Sequence, residues 1–472
     1  MFYRAEGKAV CADVIPYYEN GKFYLFYLRD YRDWAVHGEG CPWCLLTTED
    51  FVHYTDHGEV LPRGTKEEQD LYVFTGSCNK FNGEYYIFYT GHNPHLRRAG
   101  KPEQKILLAK SSDLYHWEKV KDFCLEAPEW LEIHDYRDPY VYFDETKQKY
   151  AMLIAGRLKN EAPVNSKGVT LVLYSDDLLH WELSEEPFYG SDSFFAHECP
   201  DLFKMGDWWY LVFSEFTDKN LTTYRMSKSP NGPWIMPKVN SFDGHAFYAA
   251  KTVSDGNRRF ILGWNCIKNN EVDNDWWQWG GTVIPHELVQ AEDGTLYVKC
   301  PHAILDSYSE NIQIEKSYSW GIFECTERGG YLGSNDGRSV ILFNEMPDNC
   351  KIELDFTSTD DVGDFGIMLR SDAHSDRYYA AKFEAKYNRL AFDRFPRRDS
   401  TVHVQVETER YCPIIAGEKN HLTVIAEGSV VEVYINDKVA MSARAFDFKD
   451  GKFGLYTQNT KVLFENIKIY KD

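Results

Sequence analysis

The sequence predicts an all-β protein: a five-bladed β-propeller followed by a C-terminal β-sandwich. Three observations predict this fold: a high aromatic content, a motif that repeats at near-constant spacing, and alternating strands near the C-terminus. Aromatic residues make up 16% of the chain, with 32 Tyr and 29 Phe, which favours strands. No long segment has helical periodicity, and 472 residues are enough for more than one domain.

A short Asp-x-x-His-aromatic motif recurs three times in the first part of the chain. Its aspartates are Asp50, Asp113 and Asp177, which lie 63 and 64 residues apart, and a degenerate copy follows at 227–234. Aromatic, strand-like segments recur at the same pace, at 21–27, 83–90, 148–155, 207–213 and 258–264. Five such units, each with room for a small four-stranded sheet, indicate a propeller. A β-sandwich with similar hairpins is the alternative, which the near-constant spacing disfavours. We expect the Asp-x-x-His-aromatic motif to form blade-stabilising turns rather than ligand sites.

The pattern changes near residue 300. Segments 351–356 and 429–435 alternate between apolar and polar residues, and Asn436-Asp437 forms a predicted turn before the next strand. We therefore predict a propeller over residues 1–295, a linker over 296–305 and a sandwich over 306–472. No catalytic constellation is evident in the sandwich, so we expect it to serve structure or contacts in a homo-oligomer.

Charge and cysteine usage narrow the classes of partner. The formal net charge of −21 repels nucleic acid and anionic membranes, which favours a small neutral oligosaccharide as the partner. The first eight residues contain no apolar signal region, and no run reaches transmembrane length. The 11 cysteines are an odd number, which indicates reduced thiols and a cytoplasmic location.

No cofactor or metal is predicted. Cys41-Pro42-Trp43-Cys44 has neither a βαβ context nor a second cysteine pair. The acidic run at 269–275 lacks the alternating ligands of a calcium loop, so we expect a solvated loop there.

Three carboxylates stand out because each precedes an aromatic strand of the repeat: Asp13, Asp138 and Glu198. A radial repeat would bring equivalent positions together at one axis, and clustered carboxylates are what cleavage of a glycosidic bond needs. Asp138 and Glu198 lie in the tripeptides Arg-Asp-Pro and Glu-Cys-Pro, where the proline fixes the backbone and removes a donor at an edge. Arg137 is placed to bind sugar hydroxyls or to keep a carboxylate ionised.

With these motifs the chain resembles glycoside hydrolase family 32, the β-fructosidases. The resemblance covers nearly the whole chain and includes 74–77, 89–91, 137–139, 198–200, 243–249, 258–264, 279–288 and 429–444. It implies that Asp13 is the nucleophile, Asp138 the transition-state stabiliser and Glu198 the general acid/base of a retaining hydrolase that releases terminal fructose. For these roles we expect an ionised Asp13 and a raised pKa at Glu198.

The resemblance also implies a set of substrate-binding residues: Trp34, Phe74, Thr75, Arg137 and Tyr248. Near Asp13 the chain departs from the family pattern, because Ala12 replaces an Asn that helps to hold fructose, and Leu28 replaces a Gln. These changes predict a remodelled fructose pocket, open to a fructoside other than sucrose or to another furanoside. Aromatic side chains such as Trp264 are expected either to stack on sugar or to pack between blades.

Two alternatives remain at this stage. One is an inverting furanosidase of the family 43 type, which also places Asp, Asp and Glu on a propeller. The other is a carbohydrate-binding propeller without catalytic activity.

Overall fold

The computed structural model of the chain describes residues 1–190, 193–217, 219–395 and 407–472. Small antiparallel sheets follow one another to residue 299 and form the five blades of a propeller, and a two-layer β-sandwich follows. The predicted fold is confirmed.

The strands of the propeller group into five blades in chain order. Blade I contains β1 (Val10–Glu19), β2 (Lys22–Asp30), β3 (Trp43–Thr48) and β4 (Thr55–Leu61). Blade II contains β5 (Tyr72–Phe81), β6 (Glu84–His92), β7 (Gln104–Ser111) and β8 (Glu118–Lys119). Blade III contains β9 (Leu131–Asp144), β10 (Lys149–Leu158), β11 (Gly168–Ser175), β12 (Glu182–Leu183) and the short β13 (Tyr189–Gly190). Blade IV contains β14 (Glu198–Met205), β15 (Trp208–Glu215) and β16 (Leu221–Ser227). Blade V contains β17 (Phe247–Ser254), β18 (Arg259–Lys268), β19 (Trp277–Gln290) and β20 (Leu296–Lys299).

The helices in the described residues are short. They are α1 (Trp34–His37), α2 (Pro94–Arg98), α3 (His302–Ser307) and the 3₁₀ turns Val164–Ser166, Asn269–Glu271 and Ala385–Tyr387. Within the described part of the chain, no helix combines the length and the apolar character needed to cross a membrane. All eleven cysteines are free thiols, and nine of them are buried.

The five predicted aromatic segments coincide with the second strands of the blades, β2, β6, β10, β15 and β18. The middle of each second strand is mostly apolar because both of its faces are buried. In β2, Phe23, Leu25 and Tyr27 belong to one core cluster, whereas Phe26 and Leu28 belong to another. Successive side chains of a strand point to opposite faces, so each blade packs against both of its neighbours.

The repeated Asp-x-x-His-aromatic motif forms the same turn in three blades. In each copy one carboxylate oxygen accepts hydrogen bonds from the backbone N–H groups two and three residues later. The other oxygen lies 2.7–2.8 Å from the histidine Nδ1. The residue after each aspartate has positive φ, which these side-chain bonds stabilise. The histidines are exposed at the rim, so the motif is a structural turn, as expected.

The remaining strands build the sandwich. They are β21 (Glu310–Ile312), β22 (Tyr318–Trp320), β23 (Phe323–Cys325), β24 (Gly329–Glu345), β25 (Asn349–Ser358), β26 (Asp364–Ser371), β27 (Tyr378–Glu384), β28 (Arg389–Phe395), β29 (Thr408–Tyr411), β30 (Asn420–Glu427), β31 (Val430–Ile435), β32 (Val439–Arg444) and β33 (Lys452–Lys471). The long strands β24 and β33 pair with each other along most of their length. A core rich in Phe, Leu and Val lies between the layers. The predicted turn is present, since Asn436 and Asp437 both have φ of 54°.

The segment predicted as a linker has regular structure. Residues 296–299 form β20, which pairs with β19 and completes blade V, and α3 begins at His302. The ordered propeller therefore runs to residue 299.

The acidic run at 269–275 is not simply a solvated loop. Asp273 is buried and accepts hydrogen bonds from the Tyr379 hydroxyl and from the backbone N–H of Phe446, both in the sandwich. This contact between the domains involves residues more than a hundred positions apart, which the local composition could not indicate.

Candidate active site

The inner strand of every blade has a bulge at the same level. The register shifts where these five residues stand: Asp13, Thr75, Asp138, Cys199 and Ala249. Four of the five have left-handed φ values of 31°, 62°, 52° and 50°, at Asp13, Asp138, Cys199 and Ala249. A bulge redirects a side chain, and non-glycine residues with positive φ concentrate at functional sites. All five residues line one cavity of about 740 Å³.

The three predicted acids are not at strictly equivalent positions. Asp13 and Asp138 are bulge residues of their blades, but the bulge residue of blade IV is Cys199. Glu198 stands one residue earlier, at the position that Arg137 occupies in blade III. The two tripeptides therefore align through their prolines. The site thus has one ring made of the five bulge residues, and a second ring made of residues that directly precede a bulge residue in sequence, among them Arg137, Glu198 and Tyr248.

Asp13 lies at the bottom of the cavity. Its Oδ2 accepts a hydrogen bond of 2.5 Å from the Thr75 hydroxyl, and its Oδ1 accepts one of 2.9 Å from the indole N–H of Trp264. Cys199 Sγ is 4.0 Å from Asp13 Oδ2. These contacts fix both carboxylate oxygens, so the orientation of Asp13 is set by blades II and V as well as by its own strand.

Glu198 is held at the side of the cavity by two donors. Arg137 Nη2 donates to its Oε1 over 2.9 Å, and the Tyr248 hydroxyl donates to its Oε2 over 2.7 Å. Asp135 holds Arg137 in turn, with 2.9 Å between Nη1 and Oδ1. Burial alone would lower the pKa of Arg137, but the carboxylates of Glu198, Asp138 and Asp135 raise it.

Asp138 is the most enclosed of the three acids. Its Oδ2 accepts a hydrogen bond of 2.9 Å from the backbone N–H of Cys199 and lies 3.8 Å from Arg137 Nε. Arg137 thus bridges Asp138 and Glu198. Burial raises the pKa of Asp138, and the charge of Arg137 opposes that shift.

The electrostatics of Asp13 differ from the expectation of a fully ionised nucleophile. Burial raises its pKa to about 7, the hydrogen bond from Thr75 opposes the shift, and the charge of Asp138 adds to it. Ala12 and Leu28 pair with each other across β1 and β2 next to Asp13, and both are fully buried. The raised pKa expected for Glu198 stays a prediction.

The predicted substrate-binding residues have different placements. Phe74, Thr75, Arg137 and Tyr248 line the cavity, and the Phe74 ring stacks on His92 with centroids 4.7 Å apart. Thr75 is fully buried and bonds to Asp13, which makes it a positioning residue for that carboxylate. Trp34 lies on α1, is 54% exposed and is not part of the described cavity lining.

Several cavity residues did not emerge from the sequence. Phe195 and Phe216 pack together with ring centroids 5.2 Å apart, and Trp277 and Trp279 also line the cavity. Trp264 was expected only to stack or pack, yet its indole N–H binds Asp13 across 251 positions of sequence. The spacing Asp135-x-Arg137 was a signal that could have linked Asp135 to the site, because alternate residues of a strand share a face.

A second acidic cluster lies where the two domains meet. Asp243 and His286 from the propeller meet Glu432 and Ser442 from the sandwich, and all four side chains are almost completely buried. Among the described residues, this is the group whose ligand atoms lie close enough together to hold a metal. His286 Nε2 and Asp243 Oδ2 are 3.0 Å apart, and the Ser442 hydroxyl bridges Asp243 and Glu432. Direct hydrogen bonds therefore link the four side chains, while Glu432 Oε1 is buried without a hydrogen-bond partner in the described part of the chain.

Comparison with known proteins identifies the family that the chain matches. Residues 15–301 match the model of the glycosyl hydrolases family 32 N-terminal domain, and residues 333–471 match the family 32 C-terminal model. The chain is 23% identical to a levanbiose-producing levanase of Bacillus subtilis (strain 168) over 96% of this chain and 87% of that protein. It is 24% identical to a sucrose-6-phosphate hydrolase of Escherichia coli over 90% and 84% of the two chains. A crystal structure of exo-inulinase from Aspergillus awamori superposes with a TM-score of 0.74 at 17% identity, over 100% of this chain and 97% of that one. Asp13 lies just outside the matched range 15–301, where the sequence departs from the family pattern.

Proposed function

Because this chain belongs to glycoside hydrolase family 32, and so is a glycoside hydrolase of the fructosidase type, we propose that it is a retaining β-fructofuranosidase that uses Asp13, Asp138 and Glu198. The observation that carries the proposal is that all three carboxyl groups line one cavity on the propeller axis. The family supports an enzyme of type 32 over the family 43 alternative and over a propeller that only binds sugar.

The first step cleaves the glycosidic bond. Protonated Glu198 gives its proton to the leaving oxygen as the bond from that oxygen to the fructosyl anomeric carbon breaks, and an oxygen of ionised Asp13 forms a bond to the same carbon. The two donors on Asp13, from Thr75 and Trp264, hold it in position for attack. Asp138 accepts hydrogen bonds from ring hydroxyls as positive charge develops on the sugar.

The second step releases fructose. Glu198, now a carboxylate, takes a proton from water, the water oxygen bonds to the anomeric carbon, and the bond to Asp13 breaks. Two inversions at one carbon give net retention. Arg137 and Tyr248 orient Glu198 in both steps, because each donates to a different oxygen of its carboxyl group.

The substrates we propose are small fructosides. The apolar pair Ala12 and Leu28 offers no side-chain hydrogen bond to the sugar beside Asp13, so the pocket is not built for the usual family contacts there. The aromatic side chains Phe195, Phe216, Trp277 and Trp279 offer apolar surfaces for the aglycone. The free thiols of all eleven cysteines support the cytoplasmic location that we propose, which favours imported small sugars over long polymers.

The experiment is a substrate panel with product analysis. Release of fructose is measured from sucrose, sucrose 6-phosphate, kestose, inulin and levan, with Glu198→Gln as the inactive control, and the first-formed anomer is read by NMR. We expect fructose from at least one small fructoside, with the β anomer formed first. If the wild type and Glu198→Gln are equally inert on every fructoside, the proposal fails, and if the α anomer appears first, the retaining mechanism fails.

The pH dependence of activity gives a second test. Only ionised Asp13 can attack, and the pKa of Asp13 is raised to about 7 by burial. We therefore expect kcat/KM to fall as the pH drops below 7, by about tenfold per pH unit. Initial rates at low substrate concentration measure this limb, and a constant kcat/KM from pH 7 to pH 5 would contradict the assignment of Asp13.

A further inference from the structure

A second cavity, of about 570 Å³, lies between the propeller and the sandwich. We call it the junction cavity. Its propeller wall includes Lys219, Lys238 and His245, and its sandwich wall includes Tyr387, Arg389 and Tyr411. Lys219 and His245 also line the catalytic cavity, so the two cavities share a wall.

The charge of the junction cavity is opposite to that of the protein. Four of the thirteen described residues that line it are cationic, namely Lys219, Lys238, Arg389 and Arg410, and Glu409 is the one carboxylate among those thirteen. The whole chain carries a net charge of −21. A concentration of positive charge on such an acidic protein favours an anionic ligand at this place.

Two of these cations have no carboxylate partner among the described residues. Lys238 Nζ donates to the Tyr411 hydroxyl over 2.9 Å and lies 4.9 Å from the centre of that ring. Arg410 donates to the Ser241 hydroxyl over 2.6 Å and to backbone carbonyls of the same segment. The hydroxyl partner of Lys238 is neutral, so the positive charge of Lys238 stays uncompensated, whereas the buried carboxylate of Asp243 acts on the charge of Arg410. Arg389 differs, since it pairs with Glu384 and Glu409.

The remaining walls suit a sugar. Tyr387 is 63% exposed and Tyr411 is 44% exposed, which leaves much of both rings open to a ligand. Aromatic faces pack against the C–H groups of a sugar ring, and Asn240 and Asn388 supply amide donors and acceptors for hydroxyl groups. A ligand with a sugar ring and an anionic group would use both kinds of wall.

We propose that the junction cavity binds a small phosphorylated sugar, with its phosphate near Lys238 and its ring against Tyr387. A phosphate accepts charge-assisted hydrogen bonds from lysine, which are stronger than those between neutral groups. This site is separate from the catalytic carboxylates, and the proposal does not depend on the reaction that they perform.

The test is calorimetric titration of the full chain with glucose 6-phosphate, inorganic phosphate and glucose as separate probes. We expect glucose 6-phosphate to bind most tightly, with an affinity that falls as the salt concentration rises. Lys238→Gln should weaken binding of glucose 6-phosphate and of phosphate by about tenfold. Tyr387→Ala should weaken the binding of glucose 6-phosphate by a similar factor and leave the binding of inorganic phosphate unchanged. The side chains of Lys238 and Tyr387 are exposed, so neither substitution removes packing from the core.

The control is Lys228→Gln. Lys228 also lies over an aromatic ring, 3.8 Å from the centre of Trp208, but it is not part of the junction cavity. Its substitution should leave all three affinities unchanged. Glucose binding as tightly as glucose 6-phosphate would overturn the proposal, and so would glucose 6-phosphate binding that Lys238→Gln and Tyr387→Ala leave unaltered, since the ligand would then lie in the catalytic cavity. Absence of binding heat at about 10 mM glucose 6-phosphate would also overturn it.

Discussion

Asp13 and Asp243 are both buried aspartates of the propeller, but their surroundings differ in almost every respect. Asp13 receives two side-chain hydrogen bonds and faces two other carboxyl groups across an open cavity. Asp243 is sealed between the domains and receives hydrogen bonds from Gly244 N, from the backbone and hydroxyl of Ser442, and from His286.

The difference appears in their acidities. Burial raises the pKa of Asp13 to about 7, and the negative charges of Asp138 and Glu198 add to the shift. Burial alone would also raise the pKa of Asp243, but His286, Arg410 and the backbone N–H of Ser442 more than offset this, and its pKa is lowered. Both sites contain several acids, so a count of carboxylates does not distinguish a reactive site from a structural one. The two kinds of site are distinguished by the number of hydrogen-bond donors around each acid and by whether the acid opens onto a cavity.

The largest expected effect is the loss of activity in Asp13→Asn. An amide cannot form the covalent bond to the anomeric carbon, so we expect kcat to fall by about 10⁴-fold. Steady-state rates on the best fructoside of the panel measure this, and circular dichroism shows that the fold is retained. A loss of less than tenfold would assign the nucleophile to another residue.

Asp243→Asn should have the opposite profile. It removes the charge of a buried carboxylate that accepts hydrogen bonds from Ser442 and lies 3.0 Å from His286, which costs about 4 kcal/mol of unfolding free energy, while kcat per folded molecule stays close to wild type. Denaturant unfolding at pH 7 measures the cost.

The control for Asp243→Asn is Asp306→Asn. Asp306 lies 3.4 Å from His302 in an exposed pair, for which we expect less than about 0.5 kcal/mol. Equal costs at the two positions would show that the sealed cluster does not stabilise the junction between the domains.

Some features of the fold and of the site could be predicted from the sequence, and others could not. The blades were predictable because each second strand buries both faces, which makes its middle mostly apolar, and because the Asp-x-x-His-aromatic turn is local. Asp138 and Glu198 could be found from their tripeptides, and Asp13 from its place before an aromatic strand of the repeat. The sequence could not show that Glu198 stands one residue before the bulge of its blade, because a bulge adds a residue without changing the pattern of the strands around it.

Contacts between distant segments were also beyond the sequence. Trp264 was recognised as an aromatic residue near the site, but its hydrogen bond to Asp13 depends on how blades I and V meet. Asp273 was expected in solvent because its neighbours are acidic, yet the sandwich covers it. The four residues around Asp243 lie in segments that carry the family resemblance, but no local pattern links them to one another, and only the docking of two domains brings them together.

The difference in stability between Asp13→Asn and wild type should depend on pH, because ionisation of the buried Asp13 destabilises the folded wild-type protein. The pKa of Asp13 is about 7 in the folded protein, against a reference value of 3.8, so its contribution to stability is fully present below pH 4 and is lost as the pH rises through 7. An asparagine does not titrate. Relative to wild type, the variant should therefore gain about 4 kcal/mol of stability between pH 4 and pH 8. Chemical denaturation at both pH values measures the gain, and a constant difference would contradict the raised pKa.

The smallest expected effect concerns Glu432, the partner of Asp243 across the Ser442 hydroxyl. That hydroxyl lies 2.8 Å from Asp243 Oδ2 and 3.0 Å from Glu432 Oε2, but it has one proton to donate. One of the two acids must therefore carry a proton, and Asp243 has enough donors to remain ionised. Glu432 is left as the protonated acid, in line with the upward shift of its pKa by burial and by the charge of Asp243.

Glu432→Gln replaces this neutral acid by a neutral amide that can also donate to Ser442. We expect the free energy of unfolding at pH 7 to change by less than about 1 kcal/mol. Because the folded pKa of Glu432 is raised, its contribution to stability is lost as the pH rises through that value, so wild type should weaken in alkali more than the variant does. Tyr434, Cys300 and Arg444 each interact electrostatically with Glu432, so the difference between the two proteins measures Glu432 together with these neighbours. Thermal unfolding of both proteins from neutral to alkaline pH measures that difference, and parallel curves would mean that Glu432 is already ionised at pH 7 and that Asp243 holds the proton.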